Sequence, residues 1–479
     1  MKDLSLASLR IFTISVLILL LVPELIKDGM FADGVLYAAV AHNEAHGFGS
    51  FWFPQFSATL FHPFFHQQPP LTFGIQAVFF KVLGDSIYVE RLYSLFCAIG
   101  SALLIAAIWR EINHHSSKAQ KMSWVPVLFW IITPVCFFAF RNNLEENSLC
   151  VFSLISVWMI IRSWRRSPVW HLLAASLSML LAWLCKGFPG LYPLALPSLY
   201  WLVYRKESFL KMMCQGLILG GGVVVCFSLL LLNASARVSL GAYLHDRVLN
   251  SILDVDTGQG RLHLLVQLCA DLGVPGAIAA VLFFIACKYK NKHTHLSSEN
   301  KKQAILFLGV GACASLPLMI TGEQRWFYTV PAIPAFALCL ASLVAPAVLQ
   351  LHEWMKQRRG LNNGLFAGSI LLLLFSLVFS GLQKGKIREK EMDDVTDSRL
   401  IGLALPRGSI VNTYPYTFEN WAMHQYLARH FSVSLESDHP LYEYFLTDRS
   451  QYQRVGEGYR KIGLATRKYD LYKRIQHLP

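Results

Sequence analysis

Long runs of apolar residues, almost empty of charge, decide what this chain can become. A helix needs about 20 largely apolar residues to cross a bilayer. Eleven stretches approach that need, at roughly 9–26, 88–110, 123–140, 144–162, 168–185, 188–204, 212–232, 265–287, 303–321, 327–348 and 364–382. Charged residues make up 15% of the 479, against about 25% in a soluble protein. The sequence therefore predicts an α-helical polytopic membrane protein with about 11 transmembrane helices. The spans carry few ionisable groups at mid-depth; Glu90, Arg91 and Asp271 fall near span ends. An ion-coupled transporter usually holds such groups near the bilayer middle, so the pattern points to chemistry at a membrane surface.

The formal charge of +13 is explained by where the basic residues lie. With the N-terminus inside, the inner face receives 19 Lys and Arg and the outer loops nine, leaving out the tail after residue 382. The positive-inside rule then places the N-terminus in the cytoplasm. No basic stripe with interleaved aromatics stands outside those loops, which excludes a nucleic-acid partner. The ten cysteines all lie in or beside apolar stretches, so they read as packing residues, with neither a disulfide framework nor a Cys-x-x-Cys metal pattern. Lys2, Arg10 and the first apolar run resemble a signal peptide. Pro23-Glu24-Leu25 follows in place of a small-residue cleavage site, so a retained first helix is expected.

Two regions break the apolar pattern. Residues 28–71 are polar and rich in histidine and aromatics, with Asp33, His42, Glu44, His46, His62 and His66 closed by Pro69-Pro70. Eleven crossings put this loop and the C-terminal tail on the same outer face. Residues 71–84 are too short to span and read as an amphipathic helix in the interface. Residues 383–479 carry strand-like pieces at 408–413, 431–436 and 442–448 and an amphipathic helix at 419–430. The expected division is 1–382, a transmembrane catalytic domain whose first outer loop (27–87) carries interfacial helices, and 383–479, a small α/β domain outside the cytoplasm.

A carboxylate beside the bilayer can act as a general base, and Asp33 sits a few residues past the first span. Its ordinary role would be to cap the helix starting near Val35. His42 and His46 stand at i, i+4, a spacing that can hold a divalent metal; the commoner arrangement is two histidines on a polar face, and nothing in the sequence requires a cofactor. His66 and Gln68 precede the proline pair and could point into a shared cavity or line the loop. Arg141, Lys186 and Arg325 lie at outer ends of helices, against the charge rule. Together they suggest an anion such as a phosphate. The local alternatives are ion pairs of Arg141 with Glu145 or Glu146, and of Arg325 with Glu323.

The order of these pieces resembles the GT-C glycosyltransferases, in particular the bacterial aminoarabinose transferases of lipid A, related to protein O-mannosyltransferases. Asp33 with Tyr37 resembles the family's Asp-x-x-x-Tyr in the first outer loop. His66-Gln67-Gln68-Pro69-Pro70-Leu71 resembles its Pro-Pro-Leu element. Arg141 with Glu146, Lys186-Gly187, and Arg325 through Tyr328, Pro331 and Pro334 resemble its later motifs. The chain departs from the pattern at Gly34, Leu36 and Gln68, where relatives often carry charge.

The resemblance implies transfer of a sugar from a polyprenyl-phosphate donor to lipid A, protein or a cell-surface glycan, at the outer face of a bacterial inner membrane. It implies a single inverting displacement. Asp33 would deprotonate or orient the acceptor, or position a group or a metal if the acceptor is itself a phosphate. Lys186, Arg325, Tyr328 and Arg141 would hold the donor phosphate. Tyr37, His66, Gln68 and Glu146 would line the substrate site. The alternative from another class is a lipid-linked sugar flippase. A membrane anchor for the tail and an oligosaccharide ligase or polymerase are further readings.

Overall fold

The computed structural model describes residues 4–58, 64–166, 168–249, 262–288, 296–320, 324–437, 442–451, 455–456 and 458–475. Contacts divide the chain into two compact units. One comprises Met1–Glu24, Ser94–Arg141 and Glu145–Gln383; the other comprises Leu25–Tyr93, Asn142–Leu144 and Lys384–Pro479. The first outer loop therefore belongs to the same unit as the tail.

Among the described residues, seven single helices are long and apolar enough to cross a membrane: Leu4–Ile26, Val89–Ile112, Pro168–Lys186, Phe209–Leu230, Ser298–Ile320, Trp326–Lys356 and Arg359–Gly381. Two pairs pass the same test together but bend, Ser117–Ile131 with Pro134–Arg141 by 78° and His263–Asp271 with Gly273–Ile285 by 45°. Pro134 lacks the N–H that would continue the ladder, which accounts for the first bend. By length and composition, seven to nine of the described helices thus qualify against the eleven expected stretches, and the other two expected segments take different forms. Glu145–Ser163 is a 19-residue helix that opens on two buried glutamates. Residues 188–204 split into a 3-10 stretch, Phe188–Ala195, and a short α-helix, Leu196–Tyr204. Pro189, Pro193 and Pro197, one helical turn apart, each remove a backbone donor.

Small residues set the close approaches in the first unit. Ser156 Oγ donates to Ala175 O at 3.2 Å and Ser176 Oγ to Leu219 O at 3.0 Å. A Cβ on Gly222 would lie 2.5 Å from Ser176 Oγ, and one on Gly311 would lie 2.8 Å from the Phe336 ring. Such contacts are how helices associate where lipid removes the hydrophobic drive. None of the nine cysteines whose side chains are described is disulfide-bonded.

The second unit is built on a five-stranded mixed sheet. A two-residue hairpin pairs β1 (Gly49–Ser50) with β2 (Phe53–Pro54) in the loop. The sheet itself uses β3 (Ile410–Thr413), β4 (Ser434–Ser437), β5 (Tyr444–Asp448), β6 (Tyr459–Lys461) and β7 (Tyr469–Arg474) in the order β4-β3-β5-β7-β6. β3 runs parallel to β4 and β5, and β7 runs antiparallel to β5 and β6. The helix Trp421–Phe431 is the crossover from β3 to β4. Its Met423 and Leu427 pack with Ile401, Val411, Leu435, Leu446 and Leu471 to form the core. The three expected strands and the helix appear with shifted ends. The helix Met392–Ala404 and strands β6 and β7 are additional.

The loop segment is bound into this unit by long-range bonds. Asp28 forms a parallel bridge with Ile387, and its carboxylate meets Arg399 and, at 3.6 Å, Arg91. Arg429, buried, meets Glu90 at 3.0 Å. Tyr426 Oη donates to Met30 O at 3.0 Å and accepts from Met30 N at 2.9 Å. The helix Leu71–Leu83 forms as expected: it buries Thr72, Phe73, Gln76, Ala77 and Phe80, and leaves Val78, Val82 and Leu83 exposed.

One buried histidine makes this unit acid-sensitive. His424 Nε2 accepts from Leu435 N–H at 3.1 Å, and its ring lies 4.7 Å from that of Phe56. Burial pushes its imidazole from 6.5 down to about 3. Between those values the unfolded chain binds more protons than the folded one. The stability is complete above about pH 6.5 and falls with pH by about 1.4 kcal/mol per unit. In thermal melts from pH 7 to 4, wild type is expected to lose more stability than His424→Gln; parallel losses would count against this account.

Candidate functional site

In the first unit the cluster centres on Lys186. Lys186 ends the helix Pro168–Lys186, and Gly187 follows at φ +75°, a left-handed turn that favours glycine. Tyr243 explains the glycine further: its hydroxyl would lie 2.2 Å from a Cβ there. Lys186 Nζ lies 2.6 Å from Glu146 and 3.6 Å from Glu145, and 4.7 Å from the centroid of the Tyr328 ring. Both carboxylates are fully buried and the lysine is 9% exposed. The sequence alternatives paired these glutamates with Arg141; the lysine 40 residues further on meets them. The structure thus brings together three expected residues, Lys186, Glu146 and Tyr328, and adds Glu145 and Tyr243.

Arg141 donates from Nε to Leu20 O at 2.5 Å, with its guanidinium 4.8 Å from the Phe137 ring centroid. Arg325 is exposed at the N-terminus of the 3-10 segment Trp326–Ala332, and its carbonyl accepts from Tyr328 N–H at 3.0 Å. Its expected partner Glu323 lies outside the described residues, as does His62.

In the second unit Asp33 occupies the first turn of the helix Ala32–Ala45 and is half-buried. The helix begins three residues before the expected Val35. Asp33 is therefore inside it rather than at the cap, where Phe31 gives no side-chain capping hydrogen bond. A carboxylate there faces the positive end of the helix dipole. Gly34 has a steric reason: a Cβ would lie 1.8 Å from Asn142 O. Asn142 in turn accepts from Phe31 N–H at 3.0 Å and from Arg388 at 2.6 Å. Asn143, at φ +52°, donates to Gly34 O and Gln76 Oε1. Tyr37 is buried with its ring 5.9 Å from Phe73. His66 is half-buried between Phe53 and Phe64, at 6.1 and 6.0 Å, and Gln68 is half-buried before the proline pair.

At the far end of the same helix, His42 and His46 stack with ring centroids 4.3 Å apart. Both reach Asp85, a residue that sequence reading passed over. Burial, with Arg429 and His46 nearby, pushes the His42 imidazole down to about 4, so the ring is neutral near pH 7. Burial pushes the Glu44 carboxyl up to about 7.

The architecture has known counterparts. The structure is similar over 97% of its length, and 98% of the other chain, to ArnT from Cupriavidus metallidurans bound to undecaprenyl phosphate, with a TM-score of 0.68 and 12% identity. The apo state of that protein gives a TM-score of 0.65, with 97% of each chain covered and 12% identity. The oligosaccharyltransferase AglB from Archaeoglobus fulgidus, in complex with an inhibitory peptide and a dolichol-phosphate, matches 92% of this chain and 69% of its own, with a TM-score of 0.51 and 11% identity. Residues 67–232 match the family model described as dolichyl-phosphate-mannose-protein mannosyltransferase. No curated protein matches by sequence. The fold is that of ArnT and, over a smaller share of its chain, of AglB, in keeping with the fold that the motif resemblance implied. The likeness to ArnT runs over nearly the whole of both chains.

Proposed function

We propose that this chain transfers a sugar from a polyprenyl-phosphate carrier to an acceptor of the cell envelope, at the outer face of a bacterial inner membrane. The observation that carries the proposal is the ArnT likeness across 97% of the chain, in a relative whose structure holds undecaprenyl phosphate. The retained Asp33, Lys186 and Tyr328 support it. In the reaction the anomeric C–O bond to the carrier phosphate breaks, the phosphate leaves with the electron pair, and an acceptor oxygen forms the new bond with inversion. Asp33 takes or orients the acceptor proton. Tyr328, Arg325 and Arg141 stabilise the departing phosphate, and Lys186 contributes its charge as far as Glu145 and Glu146 leave it free. Tyr37, His66 and Gln68 shape the sugar and acceptor positions. Lipid A, a protein or a surface glycan each fit as acceptor.

The common unit of residues 25–93 and 384–479 supports the topology. Two segments packed in one body lie on one side of a membrane, so an even number of crossings separates them. Nine or eleven spans meet that condition. With the N-terminus cytoplasmic, both segments are periplasmic.

The test supplies the purified chain with a polyprenyl-phosphate sugar and envelope acceptors, and follows both by mass spectrometry. Free polyprenyl phosphate and a glycosylated acceptor are expected. Lipid-linked sugar that crosses vesicle leaflets without covalent transfer would overturn the proposal in favour of a flippase.

A further inference from the structure

We propose that His42, His46 and Asp85 form a binding site for one first-row divalent cation of the zinc class, which clamps the two helices flanking the histidine-rich loop.

The three side chains lie close enough together to share one cation. His42 Nε2 and His46 Nε2 lie 3.4 and 3.2 Å from the same Asp85 oxygen. The coordinating atoms of all three residues fall within 4.8 Å of one another. Tetrahedral coordination with bonds of about 2.0–2.1 Å places neighbouring ligand atoms about 3.3–3.4 Å apart. Two imidazoles and a carboxylate suit zinc and its neighbours and disfavour magnesium and calcium, which prefer oxygen alone. His46 and Asp85 are about half exposed, so water can complete the shell.

The hydrogen bond on the far side of His46 points the same way. Its Nδ1 lies 2.9 Å from His42 O. A carbonyl only accepts, so Nδ1 carries the proton. Nε2 is then the nitrogen turned to the Asp85 carboxylate oxygen, 3.2 Å away. A backbone carbonyl that fixes the tautomer of a ligating histidine is a regular companion of metal sites.

The fold delivers the three residues by local means. His42 and His46 share a face of Ala32–Ala45 at i, i+4. Gly84, at φ +79°, ends Leu71–Leu83 and turns the chain so that Asp85 comes back to them. Arg429 holds the backbone carbonyls of Asp85 and Ser86 at 3.4 and 3.1 Å, and its charge is met by Glu90. The cation would tie the end of one helix to the end of the next, closing off the segment that carries His66 and Gln68.

The test uses the full chain in detergent, stripped with a chelator, dialysed and titrated with zinc. Metal content is measured by atomic absorption, and the visible spectrum is recorded with cobalt in place of zinc. About one equivalent should bind, with a tetrahedral cobalt spectrum. His46→Gln and Asp85→Asn, both at half-exposed side chains, should each weaken binding tenfold or more, whereas His114→Gln, on the surface elsewhere, should not. Wild type that binds no zinc, or His46→Gln and Asp85→Asn that bind it as tightly as wild type, would overturn the site. An imidazolium–carboxylate ion pair would give the first of these results.

Discussion

Lys186→Ala is expected to cost the protein its fold before it costs any particular step of catalysis. The ammonium stands 2.6 and 3.6 Å from two fully buried carboxylates. Removing one partner from a buried ion pair typically destabilises by about 3–5 kcal/mol, because the remaining charge is left without compensation. Total stabilities run to about 5–15 kcal/mol, so the loss is a large fraction. The variant should give a low monodisperse yield in detergent and a strongly lowered melting temperature. Lys186→Ala/Glu146→Gln should recover much of both, since it removes a charge from each side. A single variant that melts like wild type would show that the lysine does not neutralise the glutamates. Loss of carrier binding in such a stable variant would assign Lys186 to the phosphate alone.

Asp33→Asn is expected to do the reverse: keep the fold and lose the reaction. The side chain is half-buried in the first turn of its helix, and asparagine has the same shape. The lost charge at a helix N-terminus costs about 0.3–1 kcal/mol. Loss of general-base assistance costs about 10²–10⁴ in rate. Turnover should therefore collapse while the melt barely moves. Turnover within a few-fold of wild type would remove Asp33 from the chemistry, while leaving the ArnT-like fold untouched.

The sequence made the spans legible because hydropathy is a local property. It made the break at 188–204 less legible, although Pro189, Pro193 and Pro197 were visible, because a run of apolar residues reads the same whether its backbone is α or 3-10. Lys186-Gly187 stood out as a pair. The partners of Lys186 did not, since Glu145 and Glu146 lie 40 residues earlier and beside a nearer cation, Arg141. Asp85 carried no periodicity that could tie it to His42 and His46; only the turn at Gly84 does. β6 and β7 are short, and YRK and YDLYKR look like charged surface. Gly34 read as a departure from a charged pattern, and its cause is the carbonyl of Asn142, more than 100 residues later. What escaped in each case was a contact across the chain.

The union of the first outer loop with the tail also sets a timetable. Asp28 meets Arg399, and Glu90 meets Arg429, across 371 and 339 residues of sequence. At ribosomal speeds of about 5–20 residues per second, some tens of seconds separate the synthesis of each acid from that of its base. During that interval Asp28 and Glu90 share Arg91 as their early native cation and wait for the second, while helix after helix enters the bilayer. The candidate catalytic loop is thus among the first parts of the chain to be made and among the last to be finished.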